Sequence, residues 1–442
     1  GIRKGGDRGP TVVPGDVRQS LLIRALRHTD AKLKMPPGKK LPEEVVSNFE
    51  TWIAMGAPDS RDGDAVVGDK YTADMEQGRR HWAFQQPKTA QIPNVKRTEW
   101  PRTDVDRFIM ARMESKRLIP VADADRRTLL RRLSFDLTGL PPSTEDMTAF
   151  ENDPSDQAIE RAVDRLLASP RSGEKWARHW LDLARYAEST GKTVNFYYPH
   201  AWRYRDYVIA AFNKDKPYDQ FIKEQLAGDL MPSDDPDIEA ERLIATGFLA
   251  IGPKTLNERS GLKYELDIVD EQIDVTTQAF LGITVACSRC HDHKFDAISA
   301  DDYYGLAGVF ASTQLDERPL LPKADADRIK AARGRLRDLE GRLKSLSEKQ
   351  DPAAATVSAE IAALRAAEPQ LDVPFAHVLR EAAVYVLPQG DEMTQLQYRD
   401  GEARDLPVFR RGNPGNPGAI VPRRFLTVLS PGAPRMLTSG SG

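Results

Sequence analysis

The chain has 442 residues, a formal net charge of -3 from 63 Lys and Arg against 66 Asp and Glu, and a hydrophobic fraction of 40%. At roughly 100–200 residues per domain, that length allows roughly two to four domains. The balanced charge supplies no global basic surface for nucleic acid, no apolar run approaches the ~20 residues that span a bilayer, and two cysteines exclude a disulfide framework. Residues 1–60 read as a first helical unit. SLLIRALRH places Leu21, Leu22, Ala25 and Leu26 on one helical face, and KMPPGKK interrupts it. A second helix begins at about Pro42, with Glu43 and Glu44 suited to its first turn. Its stripe is Val45, Val46, Phe49, Trp52 and Ile53, and Gly56 and Pro58 end it. Residues 61–100 are polar and irregular, and read as a linker or wrapping segment.

Residues 101–322 read as a mainly helical domain with long loops. The stripes run through Val105, Phe108, Ile109 and Met113, then Leu129, Leu130 and Leu133, then Ile159, Ala162, Val163, Leu166 and Leu167. EKWARHWLDLARYAES, AWRYRDYVIAAFN and YDQFIKEQLAGDL are aromatic-rich helices. Leu266, Val269, Ile273 and Phe280 keep helical spacing up to the next motif, with Thr276 filling the remaining position. Residues 323–370 alternate charge with Leu at heptad-like spacing around DPAAA, which predicts a helical hairpin with a solvated outer face. Residues 371–442 turn to short β-like runs, AVYVL and RRFLTVL, around RGNPGNPG. The fold class is therefore mainly α, closing on the start of a β-containing domain. The chain opens on Gly1 and closes on SPGAPRMLTSGSG without a helix or strand pattern, so it reads as a piece of something longer.

Both cysteines lie in VACSRCHDHKFDAIS, residues 285–299. Cys287-Ser-Arg-Cys290-His291 has the C-x-x-C-H spacing of covalent c-type haem attachment. Two thiols three residues apart on one turn reach the two vinyl groups of one macrocycle, and the next imidazole ligates the iron. Three other readings stay open. A redox C-x-x-C needs a βαβ setting, whereas the preceding segment is helical. A structural zinc site would crowd Cys287, Cys290, His291 and His293 into a short span. A non-haem divalent metal centre would use His291, Asp292, His293 and Asp296, with the cysteines as small apolar residues. For the sixth iron position His179, His200, His377, Met231 and Met393 are candidates, while His293 sits too near in sequence to reach the opposite face.

Met35, in KMPP, sits on a proline-stiffened loop that suits an axial thioether of cytochrome c type, although methionine more often fills gaps in a core. The stretch GGDRGPTVVPGDVRQSLLIRALRHTDAKLKMPPGKKLPEEVVSNFETWIAMGAP resembles the C-terminal part of a planctomycete-type cytochrome c domain. The resemblance implies that Met35 is the distal ligand of a haem whose attachment cysteines lie before Gly1, making residues 1–60 a truncated cytochrome c-like unit. HWAFQQP, DRFIMARME, RRTLLRRLSFDLTGLPPS, EKWARHWLDLARYAES, WRYRDYVIAAFN, PYDQFIKEQLAGDL and FLGITVACSRCHDHKFDAI are similar to the uncharacterised domain that follows this cytochrome in large planctomycete surface proteins. One departure is Ser172-Gly173, where that family has Tyr-Gly. RGNPGNPGAIVPRRFLTVLS resembles the opening of a second uncharacterised domain, the truncated C-terminal one.

The leading expectation is a c-type haem redox or electron-transfer protein of the cell envelope, with haem c held by Cys287, Cys290 and His291 and with Met35 on a second iron. Covalent haem of this type implies export to the periplasm or cell surface; a redox partner protein and a link to polysaccharide breakdown belong to the same expectation. One alternative is a metal-dependent hydrolase or lyase on polysaccharide that uses the C-x-x-C-H-D-H segment. Another is a non-catalytic surface scaffold that binds glycans through Trp and Tyr. In WARHWLDLARYAES, Trp176, Trp180 and Leu183 share a face near Asp182, Arg185 and Glu188. That arrangement is an acid/base pair or, on composition, a buried aromatic with an Arg–Asp pair. Glu224 and Asp229 invite the same reading.

Overall fold

The computed structural model describes residues 9–30, 33–58, 73–155, 157–389 and 393–441. The chain divides into two compact units, Gly1–Tyr71 and Thr72–Gly442.

In the first unit, α1 (Leu21–Leu26) and α2 (Glu43–Ala54) enclose Val12, Ile23, Leu26, Val46, Ile53 and Ala57, with Trp52 packed against them. The expected stripe of α2 is thus buried at Val46 and Ile53, while Phe49 stays exposed. Arg27 ties the two helices by a fork to Glu50 and a 2.9 Å ion pair to Glu43. These partly exposed pairs are screened by solvent, so apolar burial carries this unit.

The second unit opens with α3 (Met75–Arg80), α4 (Asp104–Ser115), α5 (Arg126–Thr138), α6 (Thr144–Asn152) and α7 (Gln157–Leu167). Side-chain caps start most of them: Asp74, Thr103, Asp125 and Ser143 each accept from a backbone N–H of the first turn. Leu130, Phe150, Ala158 and Ala162 form a small core among α5, α6 and α7. On α4 the covered residue is Met110, and the expected stripe of Val105, Phe108 and Ile109 faces outward.

The main core gathers α8 (Pro170–Leu183), α9 (Ala201–Asn213), α10 (Tyr218–Ala227), α11 (Pro236–Ala245), α12 (Gly247–Ala250), α13 (Gly261–Leu281) and α14 (Ala300–Phe310). Its centre is Trp180. The ring packs against Phe221, Phe248 and Phe280, and its N–H meets Gln225 Oε1 at 2.9 Å and Tyr204 Oη at 3.0 Å. Burying that ring without a partner for its N–H would be costly, and Gln225 is the side chain that removes the cost. Trp176 and Leu183 are exposed, so the face they share with Trp180 in the sequence pattern is split. The charge beside this core is Arg185, which forks onto Glu271 of α13 rather than onto Asp182. Gly173 of α8 donates its N–H to Asn213 Oδ1 at 2.8 Å, and any Cβ there would strike that amide.

Three antiparallel strands, β1 (Thr313–Pro319), β2 (Phe375–Gln389) and β3 (Met393–Asp400), follow in the order β1-β2-β3. Between β1 and β2 the chain makes the hairpin α15 (Lys323–Glu348) and α16 (Ala353–Ala367), which buries Ala332, Leu336 and Leu371 on its inner seam. β4 (Leu406–Phe409) pairs with β5 (Pro417–Val421) around RGNPGNPG. RRFLTVL, read from sequence as a β-like run, instead ends in a 3-10 turn, Thr427–Leu429. Asp302 at the start of α14 captures both the N–H and the hydroxyl of Thr427, which pulls the segment onto that helix instead of into a ladder.

Candidate haem-attachment site

Gly282, at φ 65, ends α13 in the left-handed conformation that favours glycine. The chain then enters a 3-10 turn, Val285–Arg289, with Cys290 as its C-cap. Three residues complete each 3-10 turn, so positions i and i+3 lie on one side. Val285 and Ser288 are buried, and Cys287 and Cys290 are both exposed, free thiols. The two sulfurs therefore share the outer side of the turn, with His291 next in the chain and also exposed.

Long-range contacts hold this turn. Arg289 reaches Asp267 at 3.2 Å and Asp270 at 3.1 Å on α13. Tyr303 donates its hydroxyl to Asp270 at 2.6 Å, and Tyr304 donates to the Arg289 carbonyl at 2.9 Å. Both tyrosines are buried, and burial pushes the Tyr304 hydroxyl up to about 12, so it stays a donor. Gly412, at φ 67, passes over Cys290, and a Cβ there would lie 2.6 Å from the Cys290 sulfur.

Each polar residue after the cysteines has a definite task. His291 Nδ1 lies 2.7 Å from the Asp292 carbonyl. A carbonyl only accepts, so Nδ1 carries a proton, and Nε2 is the nitrogen that binds iron when the other is hydrogen-bonded. Asp292 accepts from Ala300 N at 2.8 Å and Ala73 N at 3.2 Å, one with each carboxylate oxygen. His293 is buried. Its Nδ1 accepts from Asp296 N at 2.8 Å, and its Nε2 lies 3.3 Å from the Thr284 hydroxyl, so both ring nitrogens stitch the loop together. Asp296 places a carboxylate oxygen 3.2 Å from the same Nδ1. Among the described residues no group of three or more His, Cys, Asp or Glu side chains is arranged to hold a metal ion.

The donor set fits a covalent haem on these observations: two free outward thiols one turn apart, an imidazole in the iron-binding tautomer, and a glycine that leaves the second sulfur room. Met35 belongs to the first unit, where its side chain is 55% exposed instead of filling the core, and its backbone N–H bonds Ala25 O. His179 bonds Lys175 Nζ at 2.8 Å. His377 Nε2 accepts from His200 N, and the two rings flank Glu317 at 3.8 and 3.9 Å. Met231 follows the short turn after α10 and offers its carbonyl to Arg242. The Met393 side chain lies outside the described residues. Glu224 is buried and bonded by Tyr207, Lys216 and Gln220. Burial raises Asp229 to about 6. Gly412, Tyr304 and the Arg289–Asp267–Asp270 anchor carry no short-range motif, and sequence reasoning missed all of them.

This is a mainly α chain whose larger unit carries a C-x-x-C-H turn. Residues 1–39 match the family model described as Planctomycete cytochrome C, and residues 104–315 match PSCyt2, a protein of unknown function (DUF1549). The first match includes Met35 and the second includes Cys287, Cys290 and His291. No curated protein and no solved structure matches the chain. No helix among the described residues is long and apolar enough to cross a membrane.

Proposed function

We propose that the chain is a c-type haem redox protein that works after export, in the periplasm or at the cell surface. Cys287 and Cys290 each add across one vinyl group of the haem. The sulfur forms the C–S bond and the thiol hydrogen goes to the neighbouring carbon, with no net oxidation. Bound there, haem c would supply a one-electron iron couple. His291 is the proximal ligand, held in its tautomer by the Asp292 carbonyl. Arg289 and Tyr304 fix the turn so that sulfur and imidazole positions do not wander. Met35 is the distal thioether of a second haem in the cytochrome c-like unit, with a redox protein as partner and polysaccharide breakdown as the linked process.

The observation that carries this reading is the pair of exposed thiols on one side of a single turn, directly before an exposed imidazole. The test is export of the full chain with c-type maturation machinery, followed by a pyridine haemochrome spectrum and intact mass. Haem should resist acid–acetone extraction, and Cys287→Ala with Cys290→Ala should abolish retention. A colourless wild type, under conditions that mature a control cytochrome, would sink the proposal. Stoichiometric zinc, calcium or manganese in that colourless protein would support the metal-centre alternative.

A further inference from the structure

The haem reading leaves the iron's sixth position unassigned, and the segment before α4 bears on it. Asp292, next to His291, accepts from Ala73 N. Further along the same segment, Gly78 of α3 packs on Ala297, so closely that any Cβ at 78 would collide with it. Arg79 locks the helix in place by donating to Thr427 O at 3.1 Å and Gly432 O at 2.7 Å. α3 is thus fastened along the 292–297 loop, and its C-cap is His81, whose backbone N–H bonds the Gly78 carbonyl at 2.8 Å.

Four other imidazoles of this unit have polar neighbours, His200 among them, whose Nε2 lies 3.9 Å from Glu317. His293 uses both nitrogens in its loop, His377 accepts from His200 N beside Glu317, and His179 meets Lys175. His81 is exposed, and among the described residues no hydrogen bond or ion pair engages either of its ring nitrogens. A second observation concerns the same two segments. Among the described residues the most exposed aromatic side chains are Phe295, at 83%, in the motif loop, and Trp82, at 81%, next to His81. Trp82 and Phe84 cluster around the His81 ring at 5.8 and 6.0 Å. Exposed aromatic area is unfavourable relative to burial, and a flat apolar macrocycle tethered at Cys287 and Cys290 would cover it.

We infer that His81 is the second axial ligand of the haem at the C-x-x-C-H turn, with Trp82 and Phe295 as apolar walls of its pocket. This rests on the haem reading above. The experiment uses the exported, haem-loaded 442-residue chain, whose two cysteines, Cys287 and Cys290, can attach one haem, and reads electron paramagnetic resonance and visible spectra at equal haem content by pyridine haemochrome. Wild type should be low-spin with a bis-histidine signature. His81→Ala should keep its covalent haem and turn high-spin, and added imidazole should restore the low-spin form. His81→Met should gain the thioether-to-iron charge-transfer band. A red wild type that is already high-spin, or that shows the thioether band itself, overturns the assignment, as does a His81→Ala protein that stays low-spin. A colourless wild type fails the haem reading instead, so the two failures are distinct.

Discussion

At the scale of single residues, the site combines one feature that sequence reveals and several that it hides. The C-x-x-C-H spacing is local chemistry, so Cys287, Cys290 and His291 are readable without coordinates. Gly412 is not, because its requirement comes from a sulfur 122 positions earlier in the chain. Two separate demands meet there. A φ of 67 costs an L residue about 1–2 kcal/mol, and a Cβ would sit 2.6 Å from the Cys290 sulfur. Gly432 separates them, since its φ is 87 but nothing lies within 4 Å of a built Cβ. Gly412→Ala and Gly432→Ala should therefore lose similar stability by chemical denaturation, about 1–2 kcal/mol each. Only Gly412→Ala should also lower the fraction of protein carrying doubly attached haem in intact mass. Equal haem loading in the two variants would show that the crowding of Cys290 does not matter.

At the scale of elements, the helices were legible because apolar periodicity and capping residues are local signals. Leu266, Val269 and Ile273 of α13 are buried as their spacing predicts, and the α15–α16 hairpin buries one side of its heptads. Other elements were not legible, among them α3, which lies in the stretch read as irregular. β1 lies in the polar TQLDERP and is a strand only because β2 pairs with it. RRFLTVL has strand composition but is captured by Asp302. In both cases a distant partner overrides local preference. The motif turn depends on such a partner as well. Tyr304 of α14 donates to the Arg289 carbonyl and lies 3.3 Å from the Phe409 carbonyl at the end of β4. Its hydroxyl thus joins three elements. Tyr304→Phe keeps the edge-to-face ring contacts but leaves buried carbonyls short of a donor, at a cost of roughly 1–3 kcal/mol. Thermal unfolding should fall accordingly, and hydrogen exchange should quicken at residues 285–291 more than in α9. Uniform exchange across the unit would deny the turn this anchor.

At the scale of the whole molecule, buried titratable groups of opposite sign set the pH response. His377 is packed against Tyr198, with Lys254, His200 and Glu317 around it. Burial, reinforced by the neighbouring His200 and Lys254, lowers it from 6.5 to about 4. The folded protein keeps it neutral while the unfolded chain takes up a proton, so its contribution is present above pH 6.5 and is lost as pH falls toward 4. Asp229 and Glu265 act in the other direction. Burial raises them from 3.8 to about 6 and from 4.5 to about 7. The folded state holds those protons longer, so their contribution is present in acid and is lost as pH rises through 6 and 7. Wild-type stability between pH 4.5 and 7.5 combines these trends with those of other groups, His200 among them, which burial also lowers. His377→Gln isolates one of them, because the amide oxygen can still accept from His200 N while nothing titrates. Surface carboxylates such as Asp106 and Asp125, lowered mainly by backbone hydrogen bonds, are common to both proteins and cancel in the comparison. The stability of wild type relative to His377→Gln should therefore rise with pH across that window, by up to about 3 kcal/mol, because each tenfold difference in proton affinity is worth roughly 1.4 kcal/mol. Denaturant melts of both proteins at pH 4.5, 6.0 and 7.5 measure this. A gap between them that stays constant with pH would mean that His377 titrates alike in the folded and unfolded chains, and burial would not be what sets its charge.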